Sequence, residues 1–148
     1  MATYKNEAVV NYNVEKVFKL FYKTAKRDFK KFKEETAVGT NIGRQVGAYS
    51  GKKEHMQIEI TAYEKNKVYE ITSYKRGVSF ISRYELEKVD EDKTKLKLIE
   101  SDDTKGIFGL INNLLAILFV RRKAKKRFDI FIKGMNSQLE RSYGNVKK

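Results

Sequence analysis

Residues 4 to 12 alternate in character, with Tyr4, Ala8, Val10 and Tyr12 on one side of an extended chain and Lys5, Glu7 and Asn11 on the other. A period of two predicts a half-buried strand. Asn13 then offers a helix N-cap. From Val14 the period lengthens, and Val14, Val17, Phe18, Phe21, Tyr22, Ala25, Phe29 and Phe32 recur mostly three or four residues apart. That spacing predicts one amphipathic helix, or two with a break near Lys26. Glycines at 39, 43, 47 and 51 punctuate the next stretch, as short strands and bends in a curving sheet require, and two short strands are expected there. No Gly-Lys-Ser/Thr ending follows these glycines and no buried strand precedes them, which excludes a phosphate loop.

From His55 to Asp103 the period of two returns. Met56, Ile58, Ile60 and Ala62 alternate with Gln57, Glu59 and Thr61 up to a turn at Glu64-Lys65-Asn66-Lys67. Tyr69, Ile71 and Ser73 then alternate with Glu70, Thr72 and Tyr74 as far as Arg76-Gly77. Val78, Phe80, Ser82, Tyr84 and Leu86 mark a further strand, which turns at Asp90-Glu91-Asp92-Lys93 and returns through Leu96, Leu98 and Glu100. Turns this short join antiparallel neighbours, so the sheet is a meander. After Gly106 and Gly109 a helical period runs to about Tyr143, with a stripe of Leu110, Ile111, Leu114, Leu115, Leu118, Arg122, Lys125, Phe128, Ile132, Met135 and Leu139. A helix of that length can cross a whole sheet.

Composition narrows the class. A chain of 148 residues that is 41% hydrophobic suits one domain with one core, residues 1–148, and no linker or repeat divides it. The absence of cysteine and the single histidine, His55, exclude disulfides and argue against a transition-metal site, so no metal and no cofactor is expected. The first seven residues lack the apolar stretch of a secretion signal, and a cytoplasmic location is expected. The net charge is +13. Residues 105 to 148 hold eleven Lys or Arg against Asp129 and Glu140, and so carry most of that excess.

Strand, one or two short helices, further short strands and a long terminal helix is an element order that resembles the SRPBCC superfamily of START-like, birch-pollen-allergen-like and polyketide-cyclase-like domains. The stretch Ile81-Ser82-Arg83-Tyr84-Glu85-Leu86-Glu87, its acidic turn and Leu96-Lys97-Leu98-Ile99-Glu100 are similar in texture to an uncharacterised bacterial branch. The resemblance implies an α+β helix-grip fold: a curved antiparallel sheet of about seven strands around a long C-terminal helix, with a cavity between them for an apolar small molecule or lipid. It carries no shared catalytic motif, so function by fold analogy is weak.

On the concave face of such a sheet the alternation places Met56, Ile58, Ile60, Tyr69, Ile71, Phe80, Tyr84 and Leu98, together with the polar Ser73, Ser82 and Glu100. Leu114 and Leu118 would face them from the long helix. Polar groups among apolar walls are the usual make-up of a ligand pocket, although bonds to backbone or a one-residue register shift would explain them equally. An acid–base reading would use Glu100 with Tyr84 or Tyr69, aided by Arg83, but no spacing enforces such a pair. A non-enzymatic carrier or sensor is therefore the leading reading and a cyclase-like enzyme the second.

Ile107 to Val120 holds eleven apolar residues in fourteen, too short for the ~20 that span a bilayer. Arg121, Arg122, Lys123, Lys125, Lys126 and Arg127 follow directly. That pairing fits a core helix with a solvated basic end, or a helix that docks on anionic membrane with Phe108, Leu110, Ile117 and Phe119 at the pocket mouth. Nucleic acid is the weaker anionic partner, since no helix-turn-helix, ribonucleoprotein motif or zinc knuckle is present.

Overall fold

A computed structural model of the chain describes residues 2–46, 54–75, 78–102 and 114–144. Among these, six strands form one antiparallel sheet: β1 (Ala2–Val10), β2 (Asn41–Val46), β3 (Glu54–Glu64), β4 (Val68–Lys75), β5 (Val78–Asp90) and β6 (Lys93–Asp102). Their order across the sheet is β1-β6-β5-β4-β3-β2. Two helices accompany them, α1 (Val14–Asp28) and α2 (Leu114–Tyr143), with a single 3-10 turn at Glu34–Thr36. Of the two strands expected in the glycine-rich stretch, β2 is described, whereas Gly47, Gly51, Gly106, Phe108, Gly109 and Leu110 lie outside the described residues.

The meander expected from the short turns runs from β2 to β6, and β1 closes its far side by pairing with β6 from Ala2↔Asp102 to Val10↔Thr94. The chain leaves β1 through α1. Asn13 caps this helix, its side chain accepting the Lys16 N–H at 2.9 Å, and Val17, Phe18, Phe21 and Ala25 form its buried face. The helix stops at Asp28 rather than running through Phe32, because Phe29 turns to an extended backbone while its N–H still reaches the Ala25 carbonyl at 2.9 Å. Phe29 and Phe32 nonetheless stay buried, so their spacing serves the core and not a helix. Gly39, at φ +97°, makes the next reversal, where its N–H bonds the Ile60 carbonyl at 2.9 Å. A side chain at that φ would be strained.

Cross-strand partners share a face of the sheet, and the register assembles three rows on the concave side. These are Ile42, Ile58, Ser73 and Phe80; then Ile60, Ile71, Ser82 and Glu100; then Tyr63, Tyr69, Tyr84 and Leu98. One correction concerns Ala62. A bulge between Ile60 and Ala62 shifts the phase, pairing Ala62 with Glu70 and turning Tyr63 inward beside Tyr69. An extra residue in one strand reverses its alternation from that point on.

The described part of α2 is 30 residues long, about 45 Å at 1.5 Å per residue. Its buried seam is Ala124, Phe128, Met135 and Leu139, whereas Arg122 and Lys125, expected within the apolar stripe, are exposed. The stripe passes through Ala124 instead, with a spacing of four to Phe128. The C-terminal end of α2 is tied to the start of the chain. Tyr12 donates its hydroxyl proton to the Gly144 carbonyl at 2.8 Å, and Thr94 donates to the Tyr12 carbonyl at 2.8 Å. Lys16 Nζ lies 4.8 Å from the centre of the Tyr143 ring, a cation–π contact that closes the same corner. Among the described residues no helix is long and apolar enough to cross a membrane.

Candidate functional site

Two helices and the concave face of the sheet do not meet completely. Between them lies a cavity of about 580 Å³. The sheet contributes Ile42, Ile58, Tyr69, Ile71 and Tyr84 to its wall. From α1 come Leu20, Phe21, Thr24, Arg27 and Asp28, which recur at helical spacing and so share one face. From α2 come Ile130, Phe131, Gly134, Gln138 and Arg141, the row beside the buried seam, with Met135 between the two. A Cβ built at Gly134 would meet no atom within 4 Å, so the absent side chain leaves cavity rather than allowing close helix contact.

Aromatic rings form the innermost part. Phe21 sits 4.9 Å from Tyr84, 5.7 Å from Tyr69 and 6.3 Å from Phe131 between ring centres, and Tyr84 and Phe131 are 5.4 Å apart. Tyr69 and Tyr84 stack at 6.4 Å and 28°. Such tilted and offset pairs are worth roughly 0.5–1.5 kcal/mol beyond burial. Burial, with the Glu100 carboxylate nearby, pushes the Tyr84 hydroxyl up to about 12. Burial, then the Asp28 carboxylate, raises Tyr69 above its ordinary value in the same sense. Both hydroxyls are therefore protonated at neutral pH. They stand ready to donate to a bound polar atom.

Tyr63 closes the cluster behind Tyr69 at 6.2 Å, but its hydroxyl is already committed to the Glu34 carboxylate at 2.7 Å.

Of the residues singled out from sequence, Ile58, Tyr69, Ile71 and Tyr84 line this cavity. Ile60 and Leu98 share the face but are buried in the core. Met56, Ser73 and Ser82 are half-buried on the same face, and Phe80, at the far end of its row, is 44% exposed. Leu114, Ile117, Leu118 and Phe119 fall in the first turns of α2, and their side chains lie outside the described residues. Glu100 accepts a hydrogen bond from Arg127 of α2 at 3.3 Å and bonds neither tyrosine. Arg83 is on the opposite, convex face, where it holds Glu85 at 2.7 Å and Glu70 at 3.1 Å. Glu70 also accepts from Thr61 at 2.7 Å, so Arg83 is a sheet brace remote from the tyrosines.

The basic run Arg121, Arg122, Lys123, Lys125, Lys126 and Arg127 is exposed throughout, broken only by buried Ala124. Arg127 pairs with Glu100 and Lys125 with Asp129 at 3.3 Å. Sequence reasoning missed the α1 wall, Ile42 and the second row of α2. Gly134, a glycine inside a helix where alanine would be favoured by ~1 kcal/mol, was the available signal. A second hollow of about 550 Å³ lies near the β3–β4 turn, between the charged Glu64, Lys67, Glu85 and Lys97. Val14, Val68 and Leu86 also line it, and it has no aromatic wall.

An antiparallel sheet packed with a long C-terminal helix and a second, shorter helix is a helix-grip α+β fold. Solved structures agree. Ara h 8.0201 superposes with a TM-score of 0.59 at 18% identity, covering 93% of this chain and 97% of its own. A Thermus thermophilus protein gives 0.61 at 16%, covering 96% and 99%. The Aha1 dimer protein from Colwellia psychrerythraea gives 0.58 at 14%, covering 99% and 100%. At these identities the likeness is one of fold. Within that class, residues 1–121 match the model of a domain of unknown function, DUF3284, and the chain belongs to that family. No curated protein matches it.

Proposed function

We propose that this protein binds an apolar or amphipathic small molecule or lipid in the cavity between α1, the sheet and α2, as a carrier or sensor. The observation that carries the reading is the aromatic wall of Phe21, Tyr69, Tyr84 and Phe131 around about 580 Å³. That volume falls within the ~300–1,000 Å³ typical of small-molecule sites, which pair apolar walls with a few polar groups. The hydroxyls of Tyr69 and Tyr84 and the polar side chains of Thr24 and Gln138 supply those groups. Glu100, engaged by Arg127, is not placed against either tyrosine by a hydrogen bond, which favours binding over acid–base chemistry. Titration with the fluorescent apolar probe N-phenyl-1-naphthylamine should give saturable, one-site binding, and native mass spectrometry of freshly purified protein should retain a small-molecule adduct. A linear, unsaturable fluorescence rise with no adduct would sink the reading.

The exposed cations Arg121, Arg122 and Lys126 of α2 support a second role, peripheral contact with anionic membrane during ligand exchange. Each cation near such a surface is worth about 1 kcal/mol. The protein should co-sediment with phosphatidylserine-containing vesicles at low salt, and Arg121→Gln/Arg122→Gln/Lys126→Gln should release it. Equal sedimentation with neutral phosphatidylcholine vesicles would count against that role.

A further inference from the structure

The cavity opens on one side between the two helices. The opening is a gap of about 370 Å³ that shares Leu20, Thr24, Arg27, Gln138 and Arg141 with the cavity and adds Lys23 and Ser142. Lys23 and Arg27 lie four residues apart on the face of α1 that turns to the cavity, so they follow Leu20 and Thr24 outward rather than pointing to unrelated solvent. Arg141 stands opposite, one turn beyond Gln138 on α2. Three cations thus ring the opening against one carboxylate, Asp28, whose Oδ1 is held by Arg27 Nε at 3.1 Å. Among the described residues neither Lys23 nor Arg141 has a carboxylate within ion-pair distance, and Arg141 Nε instead donates to the Ser137 carbonyl of its own helix at 3.4 Å.

An exposed lysine or arginine by itself is ordinary surface. What distinguishes these is their continuity with an aromatic-walled interior and their origin on two helices that converge on one opening. A molecule with its apolar body against Phe21, Tyr84 and Phe131 would bring its other end out between Lys23 and Arg141. A cationic head there would meet like charges, and a neutral head would leave the cations solvated as before.

We infer that the ligand is an amphipathic anion, with an apolar body ending in a carboxylate or phosphate that Lys23 and Arg141 hold at the interhelical opening. This specifies the ligand class for the proposed cavity and rests on that reading. Two charged contacts at a solvent-exposed opening correspond together to roughly tenfold in affinity.

The experiment is displacement of N-phenyl-1-naphthylamine by decanoate, decyl phosphate, decanol and decyltrimethylammonium, each below its micelle-forming concentration. Decanoate or decyl phosphate should displace the probe at about tenfold lower concentration than decanol, with decyltrimethylammonium weakest of all. Whichever anion is stronger identifies the head group. In Lys23→Gln/Arg141→Gln the ratio of decanoate to decanol affinity, or of decyl phosphate to decanol, should collapse towards one. Lys133→Gln, an exposed cation of α2 that does not border the opening, should keep the wild-type ratio. An anion-to-alcohol ratio near one in the unaltered protein, or one that survives the double substitution, overturns the inference and leaves cavity binding standing. Failure of the neutral probe to bind at all removes both.

Discussion

Gly134→Phe is expected to weaken binding of N-phenyl-1-naphthylamine by roughly tenfold to a hundredfold while the protein stays folded. The reason is local. Gly134 lines the cavity on α2 between Ile130 and Gln138, and a Cβ there touches nothing within 4 Å. A benzyl group would grow into empty space, occupy the volume against Tyr84 and Phe131, and compete with any ligand by displacing it. Gly134→Ala separates the two consequences of the substitution. One methyl group removes the helix penalty of glycine, so stability should rise by about 0.5–1 kcal/mol in urea denaturation. Most of the cavity would remain. If the phenylalanine variant bound the probe as tightly as the parent, the probe would not be sitting between α2 and the sheet.

Phe128→Ala is expected to cost about 3–5 kcal/mol, a large part of the ~5–15 kcal/mol that holds a typical domain together. Phe128 is the largest fully buried side chain among the described residues, only 2% exposed, and it follows fully buried Ala124 by one helical turn. Its removal leaves a void that two packed layers cannot close. The thermal midpoint should fall by roughly 10 °C, taking about 2–4 °C per kcal/mol for a chain of this size. Phe128→Leu, which keeps most of the volume, should lose much less. A loss under about 1 kcal/mol for the alanine variant would mean that this part of α2 is not docked as described.

The fold was legible because the chain changes period where it changes element. Strand alternation in Ile58-Ile60, Tyr69-Ile71 and Tyr84-Leu86 is strict, and the register then places those residues in adjacent rows, as short antiparallel turns demand. Where the period itself is broken, the pattern misleads. The bulge before Ala62 is a backbone event with no marker in side-chain type, so alternation alone would turn Tyr63 outward. On α2 the long basic run hid the seam: Ala124 is too small to stand out among six cations, and the nominal helical spacing falls on Arg122 and Lys125 instead.

The site was half visible for a related reason. Sheet residues such as Tyr69 and Tyr84 declare their face through alternation, whereas a helix lining a hollow shows only that it is amphipathic. Nothing in the spacing of Leu20, Thr24 and Gln138 distinguishes a wall from ordinary surface until two helices are seen to border one hollow over the same strands. Arg83 illustrates the limit from the other side. It neighbours Tyr84 in sequence, and for that very reason points away from it.

The pairing of β1 with β6 carries a consequence for how the chain assembles. During synthesis the first strand emerges with no hydrogen-bonding neighbour, and its partner follows only after β2 to β5 have been made. The hairpins of the meander can close locally, but bringing Val10 against Thr94 means closing a loop of most of the chain, an entropic cost that must be met before the contact returns anything. Tyr12 and Gly144 then meet across an even longer separation. That corner therefore holds contacts of great sequence separation, and a chain that lacked them would still retain every hairpin between.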